Sequence, residues 1–359
     1  MAYRCIHIGT GGFGGAWCVA FLPPSIQQGL VEVVAAVDIN PDHFMNAKNG
    51  LGLTDEQLYT DARQAMEECE ADFCTIVVPP AFHEEMVDLA LEHGLNILSE
   101  KPIADTMEGA CRIAKKARDA GVKMGVTMSH RFDQDKTTLR QQLRSGKWGG
   151  LDYLVSRFTC ECRRFATWGK FRYEIPYPLL IEGSVHHLDL LVDMGGALCE
   201  ELYCQGWQPA WGEFAGDSQA LITMRLANGV RIFYEGAKTN AVGLNCWTQE
   251  YVRAECEGGT LVMDHREIEA FPYTPEVVAR NAVEGEGEEV QLLEQPLWQN
   301  AWLIQQYIAW LDGGPPMETN VEANLQSMAL IFAAIESTKT GQPVRVQEFL
   351  AQHLAAVGY

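Results

Sequence analysis

Along its first 127 residues the chain repeats one pattern, a short apolar run of strand length followed by a stretch with the 3.6-residue period of a helix. Tyr3 to Ile8 predicts a strand that runs directly into Gly9-Thr10-Gly11-Gly12-Phe13-Gly14 and a helix, and Val31 to Asp38 predicts a second strand. The segment DFCTIVVPP reads as a strand ending at Pro79-Pro80, HEEMVDLALEHG as a helix closed by Gly94, and NILSEKP as another strand. A helix from about Met107 to Ala120 and the strand KMGVTMS complete the series. Strands alternating with helices imply a parallel, doubly wound sheet.

From about Arg131 the pattern changes. A helix, a turn and a long strand are predicted across TLRQQLRSGKWGGLDYLVSRFTCECRRF. Later segments, ALITMRLANGVRIFYEGA with Asn228-Gly229 as its turn and YVRAECEGGTLVMDHREIEAF, alternate with period two and read as antiparallel hairpins. The fold class is therefore α/β: an N-terminal Rossmann doubly wound parallel sheet, then a C-terminal α+β domain with a large, mostly antiparallel open sheet. The linear division is a first domain over 1–127 and a second domain over 128–359. The segment 300–314 predicts an amphipathic helix whose aromatics serve the core rather than a cofactor.

Composition narrows the picture. The chain has 359 residues, enough for about two domains, and is 47% hydrophobic and 21% charged. No apolar run reaches the roughly 18 residues needed to cross a bilayer, and the glycines come too early for a secretion leader, so a cytoplasmic location is expected. A net charge of −21 argues against nucleic acid and anionic lipid as partners. Eleven scattered cysteines, several of them (Cys5, Cys74, Cys111) in apolar runs, are expected to be free core thiols.

The glycine turn carries the first candidate chemistry. In G-x-G-x-x-G the first glycine permits the tight turn, the second lets backbone approach a pyrophosphate and the third lets helix pack on strand, so Gly9, Gly11 and Gly14, with Gly12 and Phe13, are candidate cofactor residues. Asp38, ending the second strand, suits the adenosine ribose hydroxyls and repels the extra phosphate of NADP. The following Ile39-Asn40 offers no arginine for that phosphate, so the predicted cofactor is NAD. Val78 and Pro79, His83 at the start of the next helix, Glu100, Lys101 and Arg131 fall beyond strand ends, where ligands of such sheets sit, and join the list of cofactor contacts.

In the second half, LLIEGSVHHLDLL places Glu182, His186 and Asp189 at i, i+4 and i+7, which on a helix is one face, while His187 turns about 100° away. A metal site made from His186, His187, Cys160 and Cys162 is not expected, because adjacent histidines on a helix diverge and the spacing fits no zinc pattern.

Together GTGGFGG, SEKP, EGSVHHLDLL and the closing SMALIFAAIESTKTGQPV resemble the Gfo/Idh/MocA family, which includes glucose-fructose oxidoreductase and inositol dehydrogenase. The resemblance implies that Lys101 lies beside the nicotinamide and binds the substrate hydroxyl, with Pro102 shaping the strand end, often through a cis bond. It further implies His186 as general base with Glu182 as the acid four residues earlier. This sequence departs from the family's usual pattern in having Glu182 where aspartate is common and Ser184 where a glycine often stands. A histidine suits the task, since its ordinary pKa near 6.5 lets it take an alcohol proton.

Before the predicted helix, Cys162 to Pro178 is rich in aromatic and basic groups. Arg163, Trp168 and Tyr173 from this loop, with Lys101, Glu182 and His186, form the candidate substrate set. The expected activity is NAD-dependent oxidation of a secondary hydroxyl on a sugar, cyclitol or glycoside, including oxidation at the third carbon of a glycoside, by a homo-oligomer (dimer, tetramer or hexamer). Two other readings use the same scaffold: an NAD-dependent glycoside hydrolase working through transient oxidation, and a nicotinamide-sensing regulator without catalysis.

Overall fold

A computed structural model describes residues 2–279, 281 and 286–359. The chain forms two compact units. The first comprises Met1–Phe132, Pro296–Met328 and Gln352–Tyr359; the second comprises Asp133–Gln295 and Ala329–Ala351. Two late segments thus belong with the first unit, whereas the linear reading has one change of domain near residue 127. Only long-range contacts reveal such a return.

The first unit holds strands β1 (Tyr3–Ile8), β2 (Val31–Val37), β3 (Leu58–Tyr59), β4 (Phe73–Ile76), β5 (Asn96–Ser99) and β6 (Met124–Val126). Their order is β3-β2-β1-β4-β5-β6, with parallel pairing from β1 outward in both directions. The predicted helix 107–120 is present over Met107–Ala120, capped by the Thr106 side chain on Gly109 N and closed by Gly121 at positive φ. Behind the sheet the helix Gln299–Leu311 buries Leu303, Ile304 and Tyr307, and the Tyr307 ring packs 5.5 Å from that of Phe73. Its aromatics do serve the core.

Backbone hydrogen bonds continue past the carboxyl ends of these strands. Gly9 N donates to Val37 O (2.8 Å), Val77 N to Ile8 O (2.8 Å), Glu100 N to Ile76 O (2.8 Å) and Thr127 N to Ser99 O (3.0 Å). The first residue of each loop is therefore placed by the sheet itself, which sets the loops along one edge.

The second unit is built on β7 (Leu151–Thr159), β8 (Cys199–Trp207), β9 (Gln219–Leu226), β10 (Arg231–Ala237), β11 (Tyr251–Cys256), β12 (Gly259–Asp264), β13 (Glu267–Pro272), β14 (Glu288–Glu289) and β15 (Val344–Arg345). They join in the order β14-β13-β12-β11-β7-β10-β9-β8-β15; the pairing is antiparallel except between β7 and β10. Alternation is clear in β10, where Ile232, Tyr234 and Gly236 are buried while Arg231 and Phe233 are exposed. The partner β7 buries Leu154, Ser156 and Phe158, and register sets Tyr234 opposite Ser156. On this inner face the helix Val185–Gly195 packs, entered through a π-helical turn, Leu179–Ser184.

Cys5, Cys74 and Cys111 are buried free thiols, and burial pushes Cys74 up to about 12 and Cys111 up to about 11. Cys160 and Cys246 depart from the expectation of free thiols: they form a disulfide with Cα atoms 4.9 Å apart. Eighty-six residues separate them in sequence, so their meeting depends on β7 and the β10–β11 connection being neighbours in space. Among the described residues no helix is long and apolar enough to cross a membrane.

Candidate functional site

In the first unit the glycine turn follows β1 without a break. Gly9 adopts φ +97°, and a Cβ there would stand 2.1 Å from Val77 O, so neither the backbone nor the space admits a side chain. At Gly12 the opposite holds: a Cβ would meet no protein atom within 4 Å, and the outer side of the turn is open. A strand, a tight turn with its outer side open and a following helical segment fit the pyrophosphate of a dinucleotide. Phe13, half exposed, begins that segment.

Asp38 is tied to the turn. Its Oδ2 accepts from Thr10 N (2.8 Å) and Gly11 N (2.9 Å), and its Oδ1 accepts from Asn40 N (2.9 Å) and lies 3.1 Å from His43 Nδ1. Burial alone raises this carboxyl, but the donors from Asn40, Thr10, His43 and Gly11 together hold it below the usual aspartate value. It is thus a fixed anion at the end of β2. Ile39 beside it is almost fully exposed.

The other strand ends are arranged by buried polar groups. His83 is buried, with Nε2 2.8 Å from Val78 O and Nδ1 3.1 Å from Ile103 O, so its ring bridges the loop after β4 to the loop after β5. Val78 and Pro79 lie on the first of these loops, and Arg131 lies half-buried in the turn Ser129–Phe132 beyond β6. Glu100 is buried as well: Oε1 accepts from Trp17 Nε1 (2.9 Å) and Asn300 Nδ2 (3.3 Å), and Oε2 from Lys101 N (3.2 Å). Burial raises its pKa against the opposing pull of Lys101, Trp17 and Thr127. Glu100, expected as a cofactor contact, accepts hydrogen bonds from protein groups on both carboxylate oxygens and sets the backbone of Lys101. The Lys101–Pro102 peptide is cis.

In the second unit Glu182, Ser184, His186, His187 and Asp189 are all buried. The π-helical turn widens the helix before Val185, which changes the phase of Glu182 relative to a uniform α-helix. Its carboxylate meets the preceding loop: Arg172 Nε donates to Glu182 Oε2 at 3.0 Å and Nη2 lies 2.9 Å from the same oxygen. Arg172 also donates to Trp168 O (3.1 Å) and stands over the Trp168 ring, 5.0 Å from its centre. The sequence alone does not foresee this ion pair; the basic loop was its only signal.

His187 does turn away from His186. Its ring packs 4.1 Å from Phe158 and lies stacked near Tyr234 (5.7 Å), with Tyr234 Oη 3.3 Å from Nδ1 and Glu250 Oε1 3.5 Å from Nε2. Tyr234 Oη reaches Ser184 Oγ at 3.1 Å, and Glu250 Oε2 pairs with buried Lys136 (2.9 Å), which also meets Asp133 (3.0 Å) and Asp135 (3.4 Å). His186 instead sits edge-on to Trp247, ring centres 6.0 Å apart.

The loop residues divide by role. Trp168 lies with Lys238 Nζ 3.8 Å above its ring. Arg163 donates from Nε to Thr239 O (3.1 Å) and covers Trp211. Tyr173, expected beside substrate, is 2% exposed: its hydroxyl donates to Cys162 O (2.7 Å) and its ring stacks on Phe214 at 4.0 Å. Its aromatic surface and its one donor are used to hold the loop. Cys160, a candidate in the metal set considered from sequence, is committed to Cys246. Lys238, Trp247 and Glu250 were missed because each lies more than fifty residues from the His-His pair and joins it only through the register of β7, β10 and β11.

A doubly wound sheet with an open glycine turn, joined in one chain to a nine-stranded mostly antiparallel sheet carrying a buried histidine, defines a class of two-unit nicotinamide-dependent oxidoreductases. Residues 3–128 match the model "Oxidoreductase family, NAD-binding Rossmann fold" and residues 140–346 match "Oxidoreductase family, C-terminal alpha/beta domain". The chain belongs to this Gfo/Idh/MocA oxidoreductase family, and its first unit is an NAD-binding Rossmann domain. It is 52% identical over 353 residues to the uncharacterized protein y4oX of Sinorhizobium fredii, covering 98% of each chain. It is 22% identical to D-apiose dehydrogenase of Paraburkholderia graminis over 89% of this chain and 84% of that one. Among solved structures, an oxidoreductase from Agrobacterium radiobacter in complex with NAD+, L-tartaric acid and magnesium superposes with a TM-score of 0.81 at 17% identity, covering 97% of this chain and 99% of that one. At that identity the likeness shows the fold alone.

Proposed function

We propose that this protein is an NAD-dependent dehydrogenase that oxidises a secondary hydroxyl of a sugar, cyclitol or glycoside. The observation that carries the reading is the buried His186, presented by a helix whose entry turn is widened and whose acid, Glu182, is clamped by Arg172. Membership of an oxidoreductase family with a D-apiose dehydrogenase among its relatives supports the substrate class.

The glycine turn and Asp38 would hold the dinucleotide, with the pyrophosphate against the turn and the ribose hydroxyls toward the carboxylate. Bound NAD supplies the acceptor for the two electrons that leave the substrate carbon. Lys101, its backbone set by Glu100, orients the substrate hydroxyl, and His186 takes that hydroxyl's proton. Arg172 neutralises Glu182 in the ground state, so that Glu182 tunes the site through its position rather than as a second base. The tight hold of Asp38 on the turn favours NAD over its phosphorylated form. A cytoplasmic homo-oligomer remains our expectation for the assembly.

The test is a screen of free sugars, inositols and glycosides at saturating NAD, following reduced nicotinamide. Net reduction with one class, abolished by Lys101→Ala and His186→Gln while NAD still binds, supports the reading. Cleavage of a glycoside without net reduction would replace it with the hydrolase, and no turnover with any class would favour the regulator.

A further inference from the structure

We infer that Trp247 is a positioning residue for His186, and that the Cys160–Cys246 crosslink is a pin, openable by a dithiol, that holds Trp247 in place. The inference rests on the reading of His186 as the base, and it concerns what keeps that imidazole where it is.

Trp247 is the hub of an aromatic cluster. Its ring meets His186 edge-on at 6.0 Å, lies near parallel to His187 at 5.8 Å, packs on Phe158 at 4.4 Å, and carries Lys238 Nζ 4.3 Å from its centre. Edge-to-face contact at this distance fixes the orientation of an imidazole without supplying a competing proton acceptor. Yet Trp247 is not on a strand or helix. It belongs to the connection between β10 and β11, where residues 241–244, 248 and 249 are exposed. Of the ties that hold that connection close to β7 and its continuation, two lie beside Trp247. One is Asn245, whose carbonyl accepts from Thr159 N (3.0 Å) and whose amide donates to Thr159 Oγ1 (3.1 Å). The other is the crosslink of Cys246, the residue immediately before the ring, to Cys160.

The two sulfurs are unequal. Cys160 is fully buried, whereas Cys246 is only half-buried. A thiolate therefore reaches Cys246 Sγ first. Its attack forms a mixed disulfide with Cys246, breaks the crosslink and sends the electron pair to Cys160 Sγ, which lies 3.6 Å from Lys238 Nζ, an ammonium placed to receive the new negative charge. The second thiol of the dithiol then displaces Cys246. Two protein thiols result, the dithiol is oxidised to its own disulfide, and two electrons and two protons are transferred. Asn245 keeps the connection folded, so the ring next to Cys246 loosens without global unfolding.

The experiment uses the full chain with 15N-labelled histidine, assigning His186 as the resonance missing in His186→Gln. Dithiothreitol, with reduction of the Cys160–Cys246 pair checked by mass after alkylation, is expected to shift the His186 resonance, and reoxidation to restore it. The Cys160→Ser/Cys246→Ser double variant is expected to show the shifted resonance from the start and to ignore dithiothreitol. On a substrate found by the NAD-reduction screen, reduction of the crosslink should lower kcat about tenfold with KM changed far less, as should Trp247→Ala, while Trp247→Phe recovers most of the rate. An unmoved His186 resonance in a protein whose pair is fully reduced overturns the pin, whatever the activity. Turnover that survives His186→Gln overturns the underlying reading of the base and leaves the resonance test standing by itself.

Discussion

Arg172 Nη2 lies 2.9 Å from Glu182 Oε2, and the carboxylate that receives it is almost wholly buried. The pair joins the aromatic-basic loop to the turn that opens the His186 helix, so the loop acts on the site through one charge contact. Arg172→Ala is expected to remove the cation that faces this buried carboxylate and to destabilise the protein by about 3 kcal/mol. Glu182→Gln should cost less, because an exposed edge remains to Arg172, whose side chain is 23% exposed. Urea unfolding of the two variants checks the order; equal costs would refute it.

His186 and His187, adjacent in sequence, are expected to separate function from stability. His187 fills the space between Phe158 and Tyr234, so His187→Ala should lose about 3 kcal/mol of stability through the cavity it leaves. His186→Gln should fold with a stability change below about 1 kcal/mol and lose at least about a hundredfold in kcat. Denaturation midpoints and single-substrate kinetics on both variants decide the assignment.

Two glycines of one turn should fail differently. Gly9→Ala drives a methyl group to within 2.1 Å of Val77 O and is expected to unfold or strongly destabilise the first unit. Gly12→Ala touches no protein atom within 4 Å, but φ +52° with ψ −119° is a conformation that favours glycine and costs an alanine about 2 kcal/mol, while the methyl group occupies the open side of the turn. Loss of NAD affinity by about tenfold in a protein that still folds, with a melting temperature lowered far less than in Gly9→Ala, is the expected result, measured by calorimetric titration and thermal unfolding.

Acid stability should report on Glu84. Its carboxylate is held down to about 2 from an ordinary 4.5 by hydrogen bonds from Arg112, against the cost of burial, with Lys116 assisting. Because the folded value lies below the unfolded one, this contribution is complete above pH 4.5 and is lost as pH falls toward 2. Glu84→Gln should therefore cost about 1–2 kcal/mol at pH 7, after allowing for its partial exposure, and the difference from the unmodified protein should vanish near pH 2. A deficit independent of pH would exclude the ionic explanation.

Much of this was legible without coordinates. Local periodicity predicted five of the six strands of the first sheet, though not the two-residue β3, and the helix Met107–Ala120, because these elements are set by apolar spacing and by caps such as Thr106 and Gly121 that lie within the same segment. The glycine turn and Asp38 were readable for the same reason, being the ends of consecutive strands in one βαβ unit. The Asn228-Gly229 hairpin was equally local. The turn between β12 and β13 was harder, since His265 and Arg266 both adopt positive φ without the glycine or asparagine that usually announces it.

What the chain's own order determined, then, is which segments become strands and helices and which short motifs end them, since those follow from neighbours within one turn or one strand. Tertiary structure alone decided that Pro296–Met328 returns to the first unit, that Arg172 claims Glu182, that Tyr173 is buried against Phe214, and that Cys160 meets Cys246 beside Trp247. Each of those outcomes depends on strand register and on packing between residues far apart in sequence, where burial and charge pairing act only after the sheet has brought the partners together.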